Sequence, residues 1–224
     1  KDLMLGDTIL IERSGDVIPQ IVKSFSELRK GDEKKIEFPT HCPVCKSELY
    51  KPEEDAVWRC VSLTCPAQIV EGIIHFVSKD AMDIRSFGEA NVRKFYEMGL
   101  LKSIPDVYNL PYGEIGKLDG FGEKSITKLQ QAIEDSKNQS LNRIIYALGI
   151  RYVGETTAKT LANAVDHLTD FKNYTEEQLM QLEDVGVKVA KTVYTFFHNA
   201  DNLLLLQKLE ELGVQLKNEK KGSV

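Results

Sequence analysis

The sequence predicts a mainly α-helical protein, with its helices preceded by a short β segment and a four-cysteine metal module. Three observations carry this reading. Apolar residues recur at helical spacing from about residue 66 onward. A glycine preceded by an apolar residue returns four times in the second half. All four cysteines fall within residues 39–67.

Residues 1–38 are strand-like. Thr8-Ile9-Leu10-Ile11 and Val17-Ile18-Pro19-Gln20-Ile21-Val22 flank a turn at Ser14-Gly15-Asp16. Pro19 cannot donate to a ladder, so its strand is expected at an edge or beside a bulge. Two strands do not make a stable sheet alone, so the segment reads as the end of a β domain that begins upstream. The first residue is Lys rather than Met, which fits a piece of something longer.

The cysteines read Cys42-Pro43-Val44-Cys45, then Cys60 and Cys65, a C-x2-C-x14-C-x4-C spacing. Two close pairs on separate knuckles can supply the four soft ligands that tetrahedral zinc takes. Two disulfides are the alternative. The chain has no secretory signal and no other cysteine, which favours zinc. Four cysteines leave no open coordination position, so the zinc is structural. His41 adjoins Cys42 but is expected outside the ligand shell, and His75, His167 and His198 read as surface or packing histidines.

In the helical part, Ile69, Val70, Ile73, Ile74 and Val77 form one stripe, opened by Pro66 in a first-turn position. Ile126, Leu129 and Ile133 form another, and Gly213 reads as a helix stop. The polar segment 217–224 is expected to fray.

Four segments share an apolar residue, a glycine and a helix start: Phe87-Gly88-Glu89-Ala90, Phe121-Gly122-Glu123-Lys124, Val153-Gly154-Glu155-Thr156 and Val185-Gly186-Val187-Lys188. The glycines recur every 32 to 34 residues. The pattern resembles the helix–hairpin–helix motif, in which a tight h-G-h-G turn joins two short helices. Glycine permits positive φ and lets a phosphate approach the backbone, and the helix that follows offers free N–H groups. Gly88, Gly120, Gly122, Lys124, Ser125, Arg151, Gly154, Thr156, Gly186 and Lys188 are therefore the candidate DNA contacts. Four helix caps stacked for stability alone are the competing account. Only the second hairpin carries both glycines, Gly120 and Gly122. Ser86, Tyr152 and Asp184 replace the first glycine elsewhere, and Asp184 would repel a phosphate unless turned away.

Composition sets limits. The net charge is −5, which argues against holding nucleic acid by bulk electrostatics. Any DNA binding must then use backbone donors and a few placed cations. No apolar run approaches a membrane span, and the cytoplasm is the expected compartment.

The order of these parts resembles NAD⁺-dependent DNA ligase over nearly the whole chain. The matching segments are Gly6-Asp7, Arg13-Ser14-Gly15-Asp16-Val17-Ile18-Pro19-Gln20, Cys65-Pro66-Ala67-Gln68, Asp80-Ala81-Met82-Asp83-Ile84 and 148–155. The resemblance implies that residues 1–38 end an OB-fold and that 39–67 form a four-cysteine zinc finger. Residues 68–217 would carry two pairs of helix–hairpin–helix motifs, with 218–224 as a tail. It further implies a monomeric grip on nicked duplex DNA in replication and repair, nucleoid-associated, with zinc orienting the barrel against the helical domain. NAD⁺ and Mg²⁺ would serve the parent enzyme's AMP-dependent sealing but would not bind here, because the adenylation domain lies outside this chain. No catalytic residue is assigned. A non-enzymatic repair or junction-binding protein and a purely structural zinc-and-helix module are the rival readings. Lys117-Leu118-Asp119-Gly120 matches K-x-D-G, the signature around the adenylated lysine of DNA ligases. The hairpin repeat already accounts for it, so it reads as a decoy.

Overall fold

The computed structural model describes residues 2–15, 18–51, 57–60, 62 and 65–218. Asp16 and Val17 of the expected turn and strand, and residues 219–224 of the expected tail, lie outside these. The chain divides into two compact units, residues 1–62 and 63–224.

The first unit consists of short antiparallel ladders. β1 (Met4–Leu5) pairs with β4 (Lys34–Lys35), β2 (Ile9–Ser14) with β3 (Ile18–Ser24), and β5 (Leu49–Tyr50) with β6 (Arg59–Cys60). Pro19 lies opposite Arg13, and the β2–β3 register shifts between Leu10 and Ile11. Among the described residues β3 has only β2 as a partner, so both features expected around Pro19 are present. Leu10, Ile11, Ile18 and Phe38 remain exposed. Among the described residues of this unit, Cys42 is the one apolar side chain that is buried.

Order here comes instead from polar contacts. Arg29 grips Asp7 with two bonds, Nε donating to Oδ1 at 2.7 Å and Nη2 donating to Oδ2 at 2.9 Å. The Met4 amide also donates to Asp7 Oδ2, at 2.8 Å. The Arg29 guanidinium holds the Asp7 carboxyl below its ordinary value. A depressed carboxyl pKa contributes stability that is complete above the unfolded value and is lost as pH falls through the folded one. This clamp should therefore loosen only in acid, below the ordinary aspartate range. Following the Asp7 carboxyl carbon shift against pH checks it, and Arg29→Ala should raise the midpoint.

The second unit is helical: α1 (Pro66–Val77), α2 (Glu89–Glu97), α3 (Tyr112–Ile115), α4 (Glu123–Ser136), α5 (Leu141–Ala147), α6 (Glu155–Ala164), α7 (Glu176–Met180), α8 (Val187–Phe197) and α9 (Ala200–Glu211). Pro66 occupies the first turn of α1, and Val70, Ile73, Phe76 and Val77 form its buried stripe. α1 packs against α2 and α5. Leu129 and Ile133 are buried on α4, with Ile126 half-buried against the same core. The Phe87, Phe95 and Phe121 rings pack in sequence, tilted, with centroids 5.7 and 5.2 Å apart, joining the first two hairpins. Phe171 and Phe197, 5.1 Å apart, play the same part further along the chain.

Two 3-10 turns absent from the sequence reading, Ile104–Tyr108 and Leu168–Asn173, carry part of this core. α9 ends before Gly213, which adopts φ +94°, as a left-handed stop requires. The expectation of a frayed end from 217 onward is corrected at its start. Lys217 bridges His167, and Asn218 donates to the carbonyls of Asp166 and Ala162, both at 2.8 Å. A polar side chain pinned to backbone carbonyls orders the segment without apolar burial.

Candidate metal centre and nucleic-acid interface

The thiol sulfurs of Cys42, Cys45, Cys60 and Cys65 all lie within 4.8 Å of one another. A tetrahedron with Zn–S of about 2.3 Å places its sulfurs about 3.8 Å apart, and Cys45 and Cys60 are 3.5 Å apart. All four are free thiols rather than disulfides. The donor set therefore fits one zinc ion. His41 is not part of the cluster, and its Nδ1 lies 2.9 Å from Thr40 Oγ1.

Local backbone geometry builds this centre. The Cys42 amide donates to the Ser47 carbonyl at 2.8 Å, and the Lys46 amide returns to the Cys42 carbonyl at 3.0 Å. Lys46 takes φ +63° to close the knuckle. β5 and β6 bring the second pair alongside, with Leu49 opposite Cys60. Cys65 caps α1 and is buried. Ser47, which the sequence reading missed, places its Oγ 3.3 Å from Cys45 Sγ. Its hydroxyl, and secondarily its backbone amide, pull the Cys45 thiol down to about 6. A thiolate is the metal-binding form, so this contact favours ligation.

The four hairpins share one backbone. A turn hydrogen bond closes each, from Phe87 to Ile84, Phe121 to Leu118, Val153 to Ile150 and Val185 to Leu182, at 3.0 to 3.3 Å. The third residue of each turn has positive φ: Ser86 (+66°), Gly120 (+88°), Tyr152 (+66°) and Asp184 (+59°). The residues that seemed departures from the repeat therefore keep its conformation. The common glycines behave differently from expectation. Gly88, Gly122, Gly154 and Gly186 have φ of −79°, −74°, −87° and −81° with extended ψ, so positive φ is not their function.

Each of these glycines is the N-cap of the following helix, α2, α4, α6 or α8, and no side chain caps any of the four. By contrast, Thr175 and Asn199 cap α7 and α9 with their side chains. A Cβ added at Gly88, Gly122, Gly154 or Gly186 would meet nothing within 4 Å. Packing inside the chain does not require glycine at these positions. An external group approaching the amides would.

All ten candidate DNA-contact residues are exposed, and they cluster on these turns and helix starts. The Ser125 amide donates to the Gly122 carbonyl at 2.9 Å, which leaves the first two amides of α4, those of Glu123 and Lys124, as the outward donors. Arg151 stacks over its neighbour Tyr152, 4.6 Å from the ring centroid. Thr192 on α8 donates to the Arg151 carbonyl at 2.8 Å and ties the third hairpin to the fourth.

Lys117 sits in the second hairpin's approach, its amide bonded to the Glu114 carbonyl and the Leu118 amide to that of Ile115. Lys117 is exposed on this turn. A cleft of about 580 Å³ beside the first hairpin gathers Asp83, Arg85, Lys128 and Asp135, of which Arg85 and Asp83 form an ion pair at 3.6 Å.

Comparison with known proteins agrees with this geometry. Residues 41–67 match the NAD-dependent DNA ligase C4 zinc finger domain, and residues 143–206 match a helix–hairpin–helix motif. The chain is 58% identical over its whole length to a DNA ligase of Sulfurihydrogenibium azorense, of which it covers 32%. It is 56% identical to one of Persephonella marina, covering 31% of that protein. A DNA ligase of Bacillus mycoides is 42% identical over 96% of the chain, which covers 32% of it. The chain thus spans about a third of the length of the curated relatives it matches. None of its described helices is long and apolar enough to cross a membrane.

Proposed function

We propose that this chain, which is similar to DNA ligases over its whole length and matches the NAD-dependent DNA ligase zinc finger domain over residues 41–67, is the part of such an enzyme that grips nicked duplex DNA, as a monomer, through backbone contacts to phosphates. The observation that carries the reading is the set of four exposed N-cap glycines with nothing near their missing side chains. Helix N-termini are anion sites, and four of them let a chain of net charge −5 hold a polyanion.

Residues 1–38 contribute to an OB-fold, residues 39–67 to a zinc finger held by Cys42, Cys45, Cys60 and Cys65, and residues 68–217 to the grip itself. The zinc supplies a covalent-strength crosslink in a loop with little apolar core. The DNA contacts are Gly88, Gly120, Gly122, Lys124, Ser125, Arg151, Gly154, Thr156, Gly186 and Lys188. NAD⁺ and Mg²⁺ act in the parent enzyme's AMP-forming nick sealing, outside this chain. The protein works in the cytoplasm, at the nucleoid.

Titrating the chain into labelled nicked duplex tests the reading. Affinity for nicked over intact duplex separates a ligase grip from a general junction binder, and absence of DNA binding would leave only a structural module. The family's chemistry also makes a negative expectation concrete. The chain alone should neither form lysyl-AMP with NAD⁺ nor seal nicks. In a full-length ligase, Lys117→Ala should leave self-adenylation at the wild-type rate, since Lys117 belongs to the hairpin. AMP found on Lys117 after incubation with NAD⁺ would contradict this.

A further inference from the structure

Phenylalanine rings join the first hairpin to the second, and Thr192 joins the third to the fourth, so the helical unit holds two pairs. The pairs meet at two places. α1 packs against α5, and the 3-10 turn Ile104–Tyr108 packs against α9. Apolar burial keeps such surfaces together, but it is non-directional and sets no register between them. Hydrogen bonds, which weaken steeply off their geometry, can set one.

Three side chains supply such bonds where α1 meets α5, and every acceptor is a backbone carbonyl. Arg143 on α5 forks across the segment that leads into the first hairpin. Its Nε donates to the Ala81 carbonyl at 2.8 Å and its Nη2 to that of Lys79. Gln139, two residues before α5, donates from Nε2 to the Met82 carbonyl at 3.1 Å. In the other direction, His75 on α1 donates from Nε2 to the Tyr146 carbonyl at 2.7 Å. Bonds to carbonyls hold the path of the chain, whatever side chains it carries. The path here is a defined one: Asp83 takes φ +50°, and the Ser78 carbonyl accepts from the amides of both Ala81 and Asp83. Met82 stands two residues before Ile84, whose carbonyl closes the first hairpin, and α5 runs on to Ile150, whose carbonyl closes the third. The latch therefore connects the lead-in of one hairpin to that of another.

We propose that Arg143 is a positioning residue, whose fork sets the register of the first pair of hairpins against the second so that both engage one duplex together. This rests on the phosphate-binding reading above and adds what lets four weak sites act as one. Sites on a rigid frame share a single loss of translational freedom, and that gain shrinks when their spacing is free. Arginine suits the task because its planar guanidinium presents two donors at a fixed angle, whereas a lysine ammonium is a point donor on a flexible stem.

The test is a set of double variants of the 224-residue chain, read by anisotropy on a nicked duplex and by thermal unfolding. Gly88→Val blocks an amide site in the first pair and Gly186→Val one in the second. Each is measured with Arg143 present and with Arg143→Met, which keeps the aliphatic stem. Each glycine variant should cost about tenfold in affinity when Arg143 is present, the worth of one hydrogen bond to a charged oxygen. Arg143→Met alone should cost about tenfold or more. In its background one glycine penalty should fall below about twofold while the other persists, because the chain then binds through one pair at a time. An arginine that merely stabilised the fold would lower the melting temperature and leave both penalties whole. That result would overturn the proposal and leave the phosphate reading standing. If wild type does not bind, or neither glycine variant weakens it, the phosphate reading falls and the proposal with it. Should Arg143→Met fail to fold, Arg143→Lys, which keeps the charge and can reach one carbonyl, goes through the same cycle. Failure of both to fold would assign Arg143 to folding alone and overturn the proposal.

Discussion

Stripping zinc from the 224-residue chain should unfold the cysteine loop and leave the helices standing. The two responses differ because the two units are held by different forces. Among the described residues of 39–62 only Cys42 is buried, so metal ligation, on the order of 10 kcal/mol or more in zinc-finger peptides, dominates the order of the cysteine loop. The second unit has a continuous core that includes Phe76, Phe95, Phe171 and Phe197, all fully buried. The single tryptophan, Trp58, lies two residues before Cys60 and is part exposed, so its fluorescence reports the loop. Chelation should shift Trp58 emission to that of free solvent while far-UV circular dichroism stays helical. One equivalent of zinc should be released. Cys45→Ser should mimic the effect, because Cys45 is the ligand that Ser47 keeps poised for ionisation. Metal analysis finding no zinc in native protein would contradict the account, as would helices that melt together with the loop.

Gly122→Val should cost about 10- to 100-fold in DNA affinity, the worth of one or two hydrogen bonds to a charged oxygen, with little change in stability. The backbone there is extended at φ −74°, and a Cβ meets nothing within 4 Å, so neither strain nor a clash opposes folding. Two residues earlier the expectation reverses. Gly120 stands at φ +88° with open space around it. Gly120→Val should destabilise by about 1–2 kcal/mol or more through its conformation alone. Lys124→Ala should weaken binding less than Gly122→Val and lower the salt slope by about one, as the loss of one cation–phosphate contact does. Anisotropy and thermal melts on the three variants check this. A Gly122→Val protein that folds and binds normally would exclude backbone–phosphate contact at that hairpin.

The period of the repeat was readable directly, because each hairpin needs a turn and a helix start at fixed offsets. The apolar stripes of α1 and α4 were equally open to reading, and so were the four metal ligands, whose close spacing has few other uses. The division of roles within each hairpin was not. Glycine suggests positive φ, yet here the repeated glycines are extended N-caps, and the left-handed position is held by Ser86, Tyr152 and Asp184 in three cases of four. A side chain conceals a backbone conformation that only the neighbouring turn hydrogen bond enforces. The 3-10 turns at Ile104–Tyr108 and Leu168–Asn173 escaped for a related reason. Each is too short to show a period, and the second depends on reciprocal bonds between His167 and its following turn. Ser47 and Asn218 act through single polar contacts that leave no mark on hydropathy.

A backbone amide titration by NMR puts the phosphate account to its sharpest trial. Adding nicked duplex to isotopically labelled chain should move the amides that open the four hairpin helices most: Glu89 and Ala90, Glu123 and Lys124, Glu155 and Thr156, Val187 and Lys188. The capped starts of α7 and α9 should stay in place. Shifts confined to other surfaces, with these eight amides unmoved at saturating DNA, would contradict the account.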